Sequence, residues 1–215
     1  ALMFSAEGLL SERWTLADEA ESRNRKDSLD DWEFRIGQQW PADVQTARVA
    51  DGRPCHTINR LPQFTRQVTN EQRQNRPAIQ VSPVGDKSDP DTAEFLQGVA
   101  RHIEAASDAD VAYDTAFEHC VMGGFGYWRL VTEYVDSRHL GGDFQKAFDQ
   151  EIFIRRIKNP FTVYFDPSCV EADYSDARWA FVIEDLTAEE YKRRYPKSQV
   201  ASLGLFTSTG NNPPG

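Results

Sequence analysis

The chain is poor in the residues that usually announce chemistry. It has three cysteines in 215 residues, Cys55, Cys120 and Cys169, widely spaced and without a CxxC. An odd, scattered set argues against a disulfide framework and against a structural zinc site. Reduced thiols in a cytosolic assembly pathway are the plain reading. The histidines are His56, His102, His119 and His139. None forms HExxH, and none stands at zinc spacing from a cysteine. His119 adjoins Cys120, but neighbouring helical positions face apart, which suits a nucleophile and its base poorly. No apolar run approaches the ~20 residues of a membrane helix. The opening "ALMFSAEGLLSERW" has no basic leader and does not read as a signal peptide. Positive charge is also short: 24 Lys and Arg stand against 34 Asp and Glu, a net charge of −10. Such a chain does not advertise a clamp for nucleic acid or for an anionic membrane, though passing contact with DNA or a local basic patch stays open.

What is present reads as helices first, then mixed helix and strand. Residues 1–50 form a charged helical segment in which Leu29, Trp32 and Ile36 share a helical face. Its charge patterning fits a solvated surface or a helix that docks on a neighbouring subunit. "PADVQTARVADGRPCHT" reads as a connector, with a turn at Asp51–Gly52. The next run keeps helical spacing through Ile58, Leu61, Phe64, Thr65, Val68 and Gln72, with Pro62 early in the helix and Pro77 ending it. Its outer face carries Arg60, Arg66, Arg73 and Arg76. "AIQVSPV" alternates like a short strand. Asp89 caps and Pro90 opens a helix whose predicted buried stripe is Phe95, Leu96, Val99 and Ile103. A second helix runs through Val111, Phe117 and Val121, and the short joint predicts an antiparallel pair.

Period two then takes over. "YWRLVTEYVD" places Tyr127, Arg129, Val131, Glu133 and Val135 on one face and Trp128, Leu130, Thr132 and Tyr134 on the other. "QEIFIRRI" pairs with it as an antiparallel hairpin closed by the long loop "SRHLGGDFQKAFD". "NPFTVYFDP" and "RWAFVIEDL" are further strands. Thr187 and Glu190 make a capping box for a last helix. Residues 197–215 read as a flexible loop or a truncation point.

Three features invite a chemical reading. "VMGGFGYW" is glycine-rich, but a phosphate loop runs strand, glycines, helix, and here the order is helix, glycines, strand. Gly123 and Gly124 suit a helix end, and Gly126 suits a turn into a strand or a close approach. Asp110, Asp114 and Glu118 step by four and share a helical face. That face suits a divalent ion, a wet surface, or arginines of another subunit. "NPFTVYF" near Arg155, Arg156 and Lys158 has the ingredients of a single-strand platform, yet alternating aromatics in a strand are more often core. "DPSCVEADYSDARW" is acidic but lacks the pattern of an EF-hand loop. The residues alone name no active site.

Longer strings carry more. "DGRPCHTINRLPQFTRQVTNEQRQNRPAIQVSPV", "SDADVAYDTAFEHCVMGGFGYWRLVTEYVD", "QEIFIRRIKNPFTVYFDP" and "SDARWAFVIEDLTAEEYKRRYP" resemble portal proteins of short-tailed, double-stranded DNA bacteriophages, from about Trp32 to Pro196. The resemblance implies an α+β fold: N-terminal helices followed by an antiparallel mixed helix/sheet wing domain, spanning residues 51–196. It implies a homo-oligomeric ring, typically of twelve subunits in the full-length form, around a channel at one capsid vertex. Double-stranded DNA passes through without sequence-specific binding. Terminase, capsid and scaffolding proteins and tail adaptors are the implied partners, with no membrane. The implied place is the virion, after assembly in the host cytoplasm. No catalysis and no cofactor or metal follow from it; ATP hydrolysis belongs to the terminase.

By the same resemblance, residues 57–76 are the wing helix that begins at "NRLPQ", with Asn59, Arg60 and Gln63 on its polar surface. Gly123, Gly124, Gly126 and Trp128 form the turn into the wing sheet. In a ring, Arg60, Arg66 and Arg73 stand to meet Asp110, Asp114 and Glu118 across subunits. A prophage-derived interaction domain and a divalent-ion-dependent nuclease are the alternatives.

Overall fold

The computed structural model describes residues 6–76, 78–85, 89–134, 150–171 and 173–196. Helices α1 (Ala6–Ile36), α2 (Ala42–Ala50), α3 (Leu61–Gln74), α4 (Pro90–Ser107) and α5 (Ala109–Gly123) come first. Strands β1 (Trp128–Tyr134), β2 (Gln150–Arg156), β3 (Val163–Phe165) and β4 (Ala180–Val182) follow, then α6 (Ala188–Arg194). The strands form two antiparallel two-stranded sheets, β1–β2 and β3–β4. The class is α+β. The chain divides into two units, Arg35–Pro160, and Ala1–Phe34 with Phe161–Gly215.

In the second of these, α1 turns Trp14, Ala17, Glu21, Arg25 and Ser28 inward, at the three- and four-residue steps of one helical face. Trp14 packs on Tyr164 with ring centroids 4.5 Å apart and on Phe181 at 5.9 Å. Arg25 lies beneath the Tyr164 ring, its guanidinium 3.5 Å from the centroid. It donates to the Phe161 carbonyl at 2.6 Å and to the Val163 carbonyl, and Glu21 receives it at 2.5 and 2.8 Å. A buried cation is tolerable because every direction in which it donates meets an oxygen. Of the helical face expected at Leu29, Trp32 and Ile36, the first two are half-buried and Ile36 is 48 % exposed, while Glu21, Arg25 and Ser28 make much of the inward face polar. The α6 capping box forms as expected, with Thr187 Oγ1 accepting from the Glu190 amide and the Glu190 carboxylate receiving the Thr187 amide.

In the Arg35–Pro160 unit, the expected connector contains α2, a nine-residue helix that ends at Asp51, with Gly52 left-handed at φ +69°. Pro62 sits in the first turn of α3. The buried side of α3 centres on Thr69, toward α5, while Phe64 and Val68 stay exposed. Asp89 caps α4, its side chain accepting from the Asp91 amide at 3.1 Å and from Thr92 Oγ1 at 2.8 Å. Those bonds hold its carboxyl below the usual range.

Of the stripe expected on α4, Ile103 is half-buried against the core and the other three residues are not. Phe95, Leu96 and Val99 are exposed, and the buried positions are Ala93 and Ser107. Helix α4 meets β2 closely enough for Ser107 Oγ to accept the Ile154 amide at 3.0 Å, and small residues permit that approach. Helices α4 and α5, expected to pair, are in contact, with Tyr113 of α5 donating to Glu104 of α4. The single left-handed residue Asp108, φ +48°, joins them, and both rest on β2. "AIQVSPV" forms no strand: the described residues 78–85 are irregular and have no ladder partner.

The β1–β2 pairing places Leu130 opposite Ile154 and Thr132 opposite Ile152. Ile154 is buried among Ala109 and Ala112 of α5, with Ile103 and Tyr113 beside them. Val135 and the loop 137–149 lie outside the described residues.

Gly124 ends α5 at φ +86°, its amide donating to the Cys120 carbonyl at 2.9 Å. Two residues on, the backbone passes so close to α5 that a Cβ on Gly126 would stand 1.8 Å from the Ala116 carbonyl oxygen. Backbone cannot yield as a side-chain tip does. Gly126→Ala is expected to cost about 3 kcal/mol. Gly98, on α4 in open space, is the control: Gly98→Ala gains up to about 1 kcal/mol of helix propensity. Urea denaturation midpoints of the two variants should move in opposite directions.

Candidate subunit-interface surface

The sequence-selected residues fall into three groups. The first is the knot at the start of α3. Asn59 Nδ2 donates to the Arg35 carbonyl at 2.5 Å, and its Oδ1 accepts from Gln39 Nε2 at 3.1 Å and the Leu61 amide at 3.3 Å. Asparagine offers donor and acceptor on one short arm, which is what tying three backbone regions needs. Asn59 is therefore spent inside the unit. Arg60, Gln63 and Arg66 are exposed on α3.

The second group is the acidic face of α5. Arg73 Nε meets Asp114 Oδ2 at 3.0 Å, Arg76 meets the same oxygen at 3.2 Å, and Arg76 also pairs with Asp110. Glu118 is met by Arg35 at 3.5 Å. For Arg73, Asp110, Asp114 and Glu118 the opposite charge thus lies in the same chain. The i, i+4 spacing put three carboxylates on one face, but nothing in the spacing identified Arg35, 83 residues from Glu118, as a partner. Only folding brings these guanidinium groups in: Arg73 from α3, Arg76 from just beyond its end, and Arg35 from the end of α1. They occupy the side of the carboxylates that a cation would need. Among the described residues no group of three or more His, Cys, Asp or Glu is arranged to hold a metal ion.

Beside this lattice lies a cleft of about 390 Å³ lined by Gln72, Arg76, Arg101, Glu104, Asp110 and Tyr113 among others. Tyr113 donates to Glu104 at 3.1 Å, and burial together with that carboxylate raises its phenol to about 12. It is a neutral donor at any ordinary pH. The cleft holds an ion-pair network and no nucleophile–base pair.

The third group is the glycine turn. Gly123 closes α5, Gly124 caps it, and Gly126 lies on Ala116. Trp128 opens β1 and meets Tyr113 edge to face at 5.4 Å. The Gly124 amide is committed to the helix end, so the turn does not present it to an anion. The aromatic stretch that suggested a single-strand platform is core: Phe161, Val163 and Tyr164 are buried, and Arg155 is held by Glu133 at 2.7 and 3.0 Å. No described helix is long and apolar enough to cross a membrane.

The described residues form an α+β fold in which these ion pairs hold its elements together. The profile of the phage P22-like portal protein family matches residues 11–211. The portal protein of Acyrthosiphon pisum secondary endosymbiont phage 1 is 32 % identical over 167 residues, 75 % of this chain and 22 % of that protein. The chain belongs to the phage P22-like portal protein family, and it spans about a fifth of that relative's length.

Two predictions test the α5 faces. Asp114→Asn should lower stability by about 1 kcal/mol, the range of half-exposed ion pairs, and the loss should shrink in 1 M salt. A double-mutant cycle with Arg73→Gln, read from urea midpoints, measures the coupling; zero coupling would remove the pair from the account. On the buried face, His119 is 8 % exposed. Burial pushes its imidazole below the ordinary 6.5, against a smaller opposing pull from Glu118. Folding therefore favours the neutral ring. Its contribution is complete above about pH 6.5 and declines as pH falls through the lowered folded value. Stability measured from pH 7 to pH 5 should fall more steeply for the natural chain than for His119→Gln.

Proposed function

We propose that this chain is the wing part of a portal subunit, which with its copies forms the ring through which the phage genome is packaged and ejected. The observation that carries the reading is the family match across residues 11–211. The structural role follows from membership; the ring, the channel and the docking of terminase and tail factors are the proposal. The wing assignment covers residues 51–196, preceded by the helical segment 1–50. Arg60, Gln63 and Arg66, exposed on α3, are assigned to contact between subunits. Double-stranded DNA is carried without sequence-specific binding: a chain with net charge −10 repels phosphate, which favours sliding over sticking. The place of action is the capsid vertex of the virion.

The nuclease alternative asks Asp110 and Asp114 to hold a cation, and both are already bound to arginines of the same chain. Negative-stain imaging of the full-length gene product decides the main reading. Rings with a central opening are expected. Uniform monomers at all concentrations would sink it. DNA retention by those rings should be weak at low salt; tight, salt-sensitive retention would overturn the repelling-wall part alone.

A further inference from the structure

Two exposed ladders in the Arg35–Pro160 unit have the same spacing and complementary ends, Arg60 against Asp91 and the Glu71 carboxylate against the His102 imidazole. On α3, Arg60 at the N-cap is followed at four-residue steps by Phe64 and Val68, with Glu71 three residues beyond. On α4, Asp91 is followed at the same steps by Phe95 and Val99, with His102 three residues beyond. Four-residue steps on a helix lie nearly above one another, so each ladder is one ridge. Phe64 is 59 % exposed and Phe95 69 %. Arg60, Glu71, Asp91 and His102 are exposed as well.

A single exposed apolar residue needs no explanation. These helices go further: each turns threonine, alanine or serine inward and its phenylalanine outward. The inward sides are already used, α3 on α5 and α4 on β2, and within the chain α3 and α4 are not packed on each other. Both ridges stand exposed on this chain.

The charges identify the occupant and its direction. Set parallel, Arg60 meets Asp91, the two apolar pairs meet, and Glu71 meets His102. Set antiparallel, Asp91 falls against Glu71, a like-charge pair, and Arg60 loses its carboxylate partner. Like-charge juxtaposition at a rim is how an interface rejects a wrong alignment. We propose that α4 of one copy docks, parallel, on α3 of a second copy through these two ladders. The two surfaces differ, so the contact is heterologous: every copy brings one donor ridge and one acceptor ridge, an open series keeps one of each free at its ends, and it grows head to tail until it closes. This deepens the ring reading, and closure into a ring rests on that reading; the pairing of the ridges does not.

The test uses the full-length gene product and follows assembly against concentration by light scattering and mass photometry. Phe64→Asp and Phe95→Asp are exposed changes, and circular dichroism checks that each variant is folded. Each should raise the concentration for half-assembly by about tenfold or more, the effect of losing an interface anchor. Mixed together, the two variants should give a dimer and stop there, because each retains one sound ridge. Arg60→Asp and Asp91→Arg should each weaken assembly, and the double swap should restore it. If the natural protein forms rings and both phenylalanine variants assemble at the same concentration, this pairing is overturned and the ring stands. If it forms open chains that these variants break, the pairing stands and the ring falls. If the natural protein is monomeric throughout, both fall.

Discussion

The Arg35–Pro160 unit depends on how closely other backbone can come to α5. Its inward positions are Ala109, Ala112, Ala116, His119 and Gly123, almost all small. Small residues let β2 settle on the helix, with Ile154 filling the space between Ala109 and Ala112. They also let the chain after the helix fold back until Gly126 touches the Ala116 carbonyl. Larger residues along that face would hold the ribbon off and open a gap that no other side chain fills. The opposite flank of α5 is set by charge, where Asp110, Asp114 and Glu118 receive three arginines. Helix, ribbon and α3 are therefore located by one element, with van der Waals contact on one side and ion pairs on the other.

The other unit solves a different problem. Its sheet is small, three residues to a strand, and the carbonyls around β3 need donors. Arg25 supplies them from α1 while Tyr164 covers its flat face. Glu21 neutralises the cation and orients it. The aromatic cluster of Trp14, Tyr164, Trp179 and Phe181 closes the remaining side. An apolar residue in place of Arg25 would fill the volume and leave two carbonyls unanswered.

Local signals were read well where the physics is local. The caps at Asp89 and Thr187, Pro62 in a first turn, the left-handed end at Gly124 and the pairing of β1 with β2 each depend on a few adjacent residues or on simple alternation. The apolar-stripe rule held for Ile103 and failed for Ile36, Phe95, Leu96 and Val99. It assumes that a helix hides its largest apolar residues. Helix α1 buries Arg25 because the Phe161 and Val163 carbonyls receive it, and α4 buries Ser107 because β2 comes close. Both partners are distant in sequence. The stretch 78–84 alternates as a strand should, but a strand is completed only by a neighbour, and none pairs with it among the described residues. At the candidate surface the carboxylate row was visible from its spacing, while Arg35 and the direction in which Arg73 and Arg76 reach were not.

The sequence by itself determined the class of the chain, the family strings, most helix ends and the acidic balance. It also determined that the glycine turn is a joint and not a phosphate cradle, since element order is a property of the chain alone. Tertiary structure decided which face of each helix is inside, that the arginines of α3 answer the acids of α5 within one copy, and that residues before Arg35 share a unit with those after Pro160. The reason is physical. Propensity, capping and period act over a few residues and can be read along the chain. Burial and ion pairing are made between residues that only folding brings within a few ångströms.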